Sequence, residues 1–229
     1  FRSVRPGRSD ELGAGFVNCN RTKRSVALDL SREEGRAALQ AIIRTADVLV
    51  HNMRPGSAAR LGASYDEVSR LKADIVYCYA AGFGQNGPYA DEPAYDDTIQ
   101  AASGLAYLNA NAEGEPRFLP TIVCDKVGGL HLAMAVLAGL AARGRSGKGC
   151  CIEAPMFESM VAFLMVEQLA GQSFRPPLGG IGYDRLLSPN RRPFRTRDGF
   201  ISILPYNTAH WTSFLELVGR ENIARTKWV

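Results

Sequence analysis

The acidic residues beside apolar segments are the side chains whose placement could support chemistry. They are Asp125 in "PTIVCDKVGGLHLAMAVLAGL" (120–140) and Asp96 and Asp97 in "AYDD" (94–97). Asp125 stands at the head of a long apolar, helix-like run, just before Gly128 and Gly129. A carboxylate there can cap the helix, accepting a backbone N–H and complementing the positive end of the helix dipole. The alternative is that the carboxylate does chemistry at that helix start. Taken alone the residue reads as a cap, and only its context can change that.

Other motifs carry less. Gly82-Phe83-Gly84-Gln85-Asn86-Gly87 matches G-x-G-x-x-G after an expected strand, which would suit a nicotinamide or flavin site. That fingerprint needs its third glycine to open a helix, and here Pro88 follows at once with Pro93 shortly after. "RGRSGKGC" (143–150) resembles a phosphate loop only in part, because Gly149 replaces the Ser or Thr and Ala142 the first glycine. It reads better as a helix-to-strand turn. His51, His131 and His210 have no metal spacing and no G-x-S-x-G elbow exists, so neither a metal site nor a serine hydrolase is expected.

The elements that must position the acids follow from hydrophobic periodicity. "SVALDL" (25–30) alternates like a short strand, and Ser31 with Glu34 makes a capping-box pattern ahead of a helix. "DVLVHN" (47–52) reads as a buried strand, "RPGSAARLG" (54–62) as a short helix with Pro55 near its start, and "YDEVSRLKAD" (65–74) as a helix. "IVYCYAAGFG" (75–84) is the next strand. This alternation predicts an α/β fold, a Rossmann-like parallel sheet with flanking helices whose ligand lies off the carboxyl ends of the strands. Beyond it come helical residues 97–109, a loop over 110–124, a strong helix over 126–143, a strand "CIEAPM" and a helix "FESMVAFLMVEQLAG". Residues 174–199, dense in Pro, Gly and Arg, read as a long loop or a passage to a second unit, with "FISILPY" as a strand and "TAHWTSFLELVG" as a helix after it. The expected division is a large α/β domain over 1–175 and a linker with the start of a smaller domain over 176–229.

A chain of 229 residues with 46% hydrophobic content can bury a sizeable core. The apolar stretches 130–142 and 160–166 are short or Gly-interrupted, so no membrane span and no membrane role are expected. Cys19, Cys78, Cys124, Cys150 and Cys151 show no C-x-x-C spacing, as in a protein kept reduced in the cytoplasm. The net charge of +4 is uneven, with eleven Arg/Lys against six Asp/Glu in residues 1–60 and five arginines in 185–197. Basic regions of this kind suit an anionic ligand, or are simply solvated surface. No nucleic-acid motif stands out. The chain starts at Phe1 and ends in the helix-like "NIARTKWV", as a piece of a longer polypeptide would.

Four blocks give these features a shared context: "NRTKRSVALDL" (20–30), "ADVLVHNMRPGSAARLG" (46–62), "IVYCYAAGFGQNGPYADEPAYDDTIQAASGL" (75–105), and "CDKVGGLHLAMAVLAGLAARGRSGKG" with "CIEAPMFES" (124–159). In order and spacing they resemble the class III CoA-transferases, the family of formyl-CoA transferase, carnitine CoA-transferase and the α-methylacyl-CoA racemases. The resemblance implies an interlocked homodimer. It also implies that Asp125 attacks an acyl-CoA thioester to give an aspartyl mixed anhydride and CoA thiolate, before CoA passes to an acceptor carboxylate. Gly128 and Gly129 would leave room for the thioester, and first-turn amides would stabilise the oxyanion.

Tyr95 and Asp96 fall where the family carries a pair beside the thioester. Transferases show Tyr with an acid there and racemases His with Asp. Tyrosine, with a reference pKa of about 10, is a poor α-carbon base at neutral pH, so the pair favours CoA transfer over the alternative of an acyl-CoA racemase. The resemblance further implies Leu28, Ser31, Asn52 and Met53 around adenine and ribose, and Arg54 and Arg60 near the phosphates. A glycine loop closing over the thioester would involve Gly179, Gly180 and Gly182. No prosthetic group is implied, with CoA and acyl-CoA entering as substrates. Family members carry a further strand and helix at the start and continue past residue 229, so a truncated, non-catalytic CoA-binding chain is the remaining alternative.

Overall fold

A computed structural model of the chain describes residues 6, 7, 9, 12–110, 113–224 and 226. Part of the basic N-terminal region and the end of "NIARTKWV" lie outside the described residues. The chain divides into two compact units, Phe1–Ile99 with Thr121–Met160, and Gln100–Pro120 with Val161–Val229.

The first unit is built on three parallel strands, β1 (Val48–His51), β2 (Val76–Ala81) and β3 (Cys150–Pro155), in the order β1-β2-β3. Val48 pairs with Val76 and His51 with Tyr79, while Val76 pairs with Cys150 and Ala81 with Pro155. The α/β reading with a parallel sheet is therefore correct. The helices are α1 (Ala14–Cys19), α2 (Glu33–Ile43), α3 (Pro55–Arg60), α4 (Tyr65–Leu71), the start of α5 (Asp96–Ala102), α7 (Val123–Ser146) and the start of α8 (Met156–Gln168).

Successive strand residues point to opposite faces, and here each face has a helix layer. Tyr77 joins Ile43, Val68 and Ile75 in a buried cluster with Leu39, Leu49, Tyr65 and Leu71, which brings α2 and α4 against β1 and β2. Val76, its neighbour, faces α7. A Cβ on Gly139 would stand 2.7 Å from both Val76 Cγ1 and Ile152 Cδ1, so only glycine lets the helix lie this close to the sheet. At its far end Arg143 fastens α7 to the loops before β1 and β2, with Nη2 2.9 Å from Asp47 Oδ1 and Nη1 donating to Asp47 O at 3.2 Å.

Four sequence expectations need correction. Residues 25–30 make no strand: Val26 is 65% exposed, and alternation without a partner does not satisfy a ladder of backbone groups. Ser31 and Glu34 form no capping box. Ser31 Oγ donates to Asp29 Oδ1 at 2.6 Å instead, and α2 begins after Arg32 with no side-chain cap. A true box occurs at Ser64 and Glu67, where Glu67 N–H donates to Ser64 Oγ at 3.4 Å and Ser64 N–H to Glu67 Oε2 at 3.3 Å. Strand β1 is half-buried rather than buried, because it is paired on one edge only and Val50 is exposed. Finally, α7 is long and apolar enough to cross a membrane by length and composition, a property expected of no stretch. Its glycines interrupt an apolar run but not a helix. Its contacts with β2 and β3 are those of a helix packed on a sheet.

In the second unit the helical stretch 97–109 continues as the end of α5 and, past Gly104, as α6 (Leu105–Leu108). The rest of the unit holds the end of α8, α9 (Asp184–Leu187), the antiparallel pair β4 (Phe194–Arg195) and β5 (Phe200–Ile201), α10 (Thr208–Leu217) and α11 (Glu221–Ala224). "FISILPY" thus supplies only two strand residues, since β4 is no longer than that and offers no further partner. Asn207 caps α10, its Oδ1 accepting from His210 N–H at 2.9 Å.

Candidate active site

The site begins with the first turn of α7. Helix starts leave backbone N–H groups without partners, and Asp125 was a candidate to cap them. It does not. The helix opens at Val123 after Ile122, so Asp125 lies inside the first turn. The cap comes from Asp96, at the start of α5, whose Oδ1 accepts from Cys124 N–H at 2.7 Å and from Asp125 N–H at 3.1 Å. Asp96 is buried, with 8% of its surface exposed. Asp125 is exposed.

This arrangement frees the Asp125 carboxylate and places it beside another acid. Partial desolvation, and then the neighbouring Asp96 charge, raise its pKa above the ordinary carboxylate value. The positive end of the helix dipole favours the ionised form, but burial and then the like charge outweigh it. A more basic carboxylate is a better nucleophile once deprotonated. Cys124 is no rival, because burial, followed by Asp96, Asp125 and Asp97, pushes its thiol up to about 12.

The expected oxyanion role of the helix start fails on the same geometry. Cys124 and Asp125 N–H groups go to Asp96, Val123 N–H goes to Thr121 O at 2.8 Å, and Lys126 N–H to Ile122 O at 3.2 Å. Every first-turn amide is already bonded. Of the two glycines, only Gly129 borders open space; a Cβ on Gly128 would sit 3.3 Å from Met156 Cγ, so that residue serves packing against α8.

Tyr95 precedes the capping acid and is 77% exposed, leaving its phenol open to a ligand. It lines a cavity of about 220 Å³ at the carboxyl ends of β1 and β2, with Asn52, Met53, Arg54, Tyr79, Gly82 and Gln85 among the other walls. The structure thus gathers Asn52, Met53, Arg54 and Tyr95 in one place; Asp96 follows Tyr95 in the chain and accepts from Asp125 N–H, but neither acid lines the cavity. Leu28, Ser31 and Arg60 line no part of it. Leu28 and Ser31 belong to the extended stretch and turn before α2, and Arg60 donates from Nη2 to Ser57 Oγ at 2.8 Å on the surface of α3. Gly179, Gly180 and Gly182 lie in the second unit, where Gly171 N–H donates to Gly180 O at 3.1 Å and Gly182 N–H to Gln168 O at 2.7 Å.

Two features were not legible in the sequence. The glycine-rich turn after β2 opens no helix and is instead held by two carboxylates. Gly84 N–H donates to Glu158 Oε1 at 2.9 Å, and Gln85 N–H to Glu153 Oε1 at 2.6 Å. A Cβ on Gly84 would approach that Glu158 oxygen to 2.5 Å. The spacing of Glu153 and Glu158 carries no such signal, which arises only once β3 and α8 lie beside β2. Second, a larger cavity of about 780 Å³ in the second unit is lined by Arg185, Arg191 and Arg192 of the second basic region, with Trp211 and Phe214. It contains no expected site residue.

A model of CoA-transferase family III matches residues 1–229. The chain belongs to that family. It is 40% identical to the acetyl-CoA:oxalate CoA-transferase of Acetobacter aceti over 65% of this chain and 39% of the relative. It is 31% identical to the succinate–glutarate CoA-transferase of Agrobacterium fabrum over 96% of this chain and 56% of the relative. Among solved structures of the family, Rv3272 of Mycobacterium tuberculosis superposes with a TM-score of 0.81 at 30% identity, covering 99% of this chain and 59% of that one. A CAIB/BAIF family protein of Brucella suis gives 0.79 at 27% identity, covering 94% and 57%. The chain spans about half the length of the curated relatives it matches. These likenesses bear out the resemblance carried by the four sequence blocks.

Proposed function

We propose that the protein moves CoA from an acyl-CoA thioester to a carboxylic acid, with Asp125 as the nucleophile. The observation that carries this reading is the Asp96–Asp125 pairing. One acid is buried and spent on capping α7, leaving the other exposed and more basic beside it. An Asp125 oxygen attacks the thioester carbonyl, and the C–S bond breaks to release CoA thiolate and leave an aspartyl mixed anhydride. The thiolate attacks the Asp125 carbonyl, the donor leaves as its carboxylate, and Asp125 holds CoA as a thioester. The acceptor carboxylate then attacks this thioester, giving a new mixed anhydride and thiolate. The thiolate takes the acceptor acyl group and restores Asp125. In this reading Tyr95, exposed and next to Asp96, donates a hydrogen bond to the developing oxyanion, a task for which the α7 amides are not free.

Asn52, Met53 and Arg54 hold part of the CoA moiety, with Arg54 toward its phosphates. A cavity of about 220 Å³ is below the ~300–1,000 Å³ usual for a small-molecule site, so most of CoA lies outside it. Leu28, Ser31 and Arg60 extend that surface, and Gly179, Gly180 and Gly182 serve as the loop over the thioester. The named activities of the oxalate and succinate–glutarate relatives favour a small acid as acceptor. Leu130, Met134 and Leu137 form an exposed apolar stripe at helical spacing on α7, which supports assembly as a homodimer. Five cysteines without a disulfide suit the cytoplasm.

The test is a donor and acceptor screen on wild-type protein and Asp125→Ala. Acceptor-dependent thioester exchange that disappears in the variant supports transfer. Solvent deuterium entering the α-carbon without any acceptor would mean a racemase, and binding of CoA without either reaction a non-catalytic chain.

A further inference from the structure

Strand β1 ends on His51, and both ring nitrogens of that residue are engaged. Met53 N–H donates to Nδ1 at 3.1 Å, Nε2 lies 2.5 Å from Tyr77 Oη, and Tyr77 Oη lies 2.9 Å from Ala63 O. A backbone N–H only donates and a carbonyl only accepts, so the partners fix every proton in the chain. Nδ1 carries the lone pair, Nε2–H donates to Tyr77 Oη, and the tyrosine donates to Ala63 O.

The imidazole is held as closely as it is bonded. Tyr79 stacks on it with centroids 5.9 Å apart and planes at 16°, and Tyr77 meets it edge-on at 5.1 Å. Burial lowers the His51 pKa, which favours the neutral ring this network requires. Tyr77 and Tyr79 of β2 are the titratable groups against it. Burial, then Cys151 of β3 and Glu67 of α4 for Tyr77, and Glu153 and Cys151 of β3 for Tyr79, keep both phenols protonated. Arg54, three residues on, is the nearest cation in the chain.

The residue that His51 fixes is a wall of the cavity, since Met53 lines it together with Asn52, Arg54 and Tyr79. We propose that His51 is a positioning residue: neutral and protonated at Nε2, it locks the 52–54 segment in the shape that receives the CoA moiety. This inference rests on the reading that the cavity takes part of CoA. Protonation of Nδ1 removes the acceptor for Met53 N–H and sets two donors against each other, so the wall loosens in acid.

The experiment measures CoA binding calorimetrically to wild type, His51→Phe, His51→Asn and Tyr77→Phe from about pH 8 to about pH 5. His51→Phe keeps the ring stack and loses the acceptor, so CoA binding weakens by about tenfold. His51→Asn, whose Oδ1 can take the place of Nδ1, recovers binding to within about threefold. Tyr77→Phe falls between them. CoA's own phosphate titrates in this range, so the informative quantity is the gap between wild type and His51→Phe, which narrows in acid. Nitrogen NMR on the free protein reads the tautomer independently of any ligand. CoA binding that is equal in all four proteins, or a gap that does not vary with pH, overturns the inference while leaving the functional reading intact. A wild type that binds no CoA overturns both, and an Nδ1-protonated His51 overturns the inference even if the Phe variant does not fold.

Discussion

The two ends of α7 carry opposite electrostatic arrangements on one helix. At the C-terminal end Arg143 meets opposite charge, bonding to Asp47 and lying near Asp74, and complements the negative end of the dipole. At the N-terminal end Asp96 of α5 lies beside Asp125, and burial followed by this like charge raises the proton affinity of the exposed acid. The first arrangement stabilises the fold. The second costs stability, and like-charge crowding of this kind marks functional sites. One element is therefore anchored at one end and, in the proposed function, poised for chemistry at the other.

Substitutions that break this contrast should have very different sizes. Asp125→Ala should reduce CoA transfer by about 10³-fold or more while leaving CoA binding nearly unchanged, checked by initial rates and calorimetry. Asp96→Asn keeps an oxygen for capping but removes the like charge. It should lower turnover by about 10–100-fold and move the acid limb of the rate profile to lower pH, because Asp125 then deprotonates more readily. Arg143→Ala should leave turnover within about twofold yet cost about 1–2 kcal/mol in urea unfolding, since it removes an ion pair to the exposed Asp47 and the bond to the half-buried Asp74 carbonyl. Ser64→Ala removes a capping box far from the chemistry and should cost about 1 kcal/mol.

The linkage at Asp125 gives a further sign to check. Its folded pKa is raised, so as pH climbs past the ordinary carboxylate value the unfolded chain ionises first and stability is lost until the folded group ionises too. Asp125→Asn should accordingly raise Tm at neutral pH, with the gain vanishing below the ordinary carboxylate value.

How much of this was legible beforehand depends on the range of the interactions. The parallel sheet and α7 follow from local periodicity, and the order of the four blocks was enough to resemble the family that the comparisons then established. Asp125 could be singled out, but its state could not, because its neighbour Asp96 arrives from 29 residues away through the fold. The same holds for Glu153 and Glu158 on the glycine turn, and for His51, whose partner Tyr77 comes from the next strand and donates in turn to Ala63 O in the loop before α4. Residues 25–30 and the Ser31 box failed for the converse reason. A local pattern was present, but a partner strand was not paired with it and Asp29 claimed the hydroxyl first.

The most direct measurement is to trap the covalent intermediate. Incubating the protein with acyl-CoA and hydroxylamine, then mapping peptides by mass spectrometry, should give an aspartyl hydroxamate at Asp125 that is absent without acyl-CoA. An unmodified Asp125, with transfer activity surviving in Asp125→Ala, would contradict its role as the nucleophile.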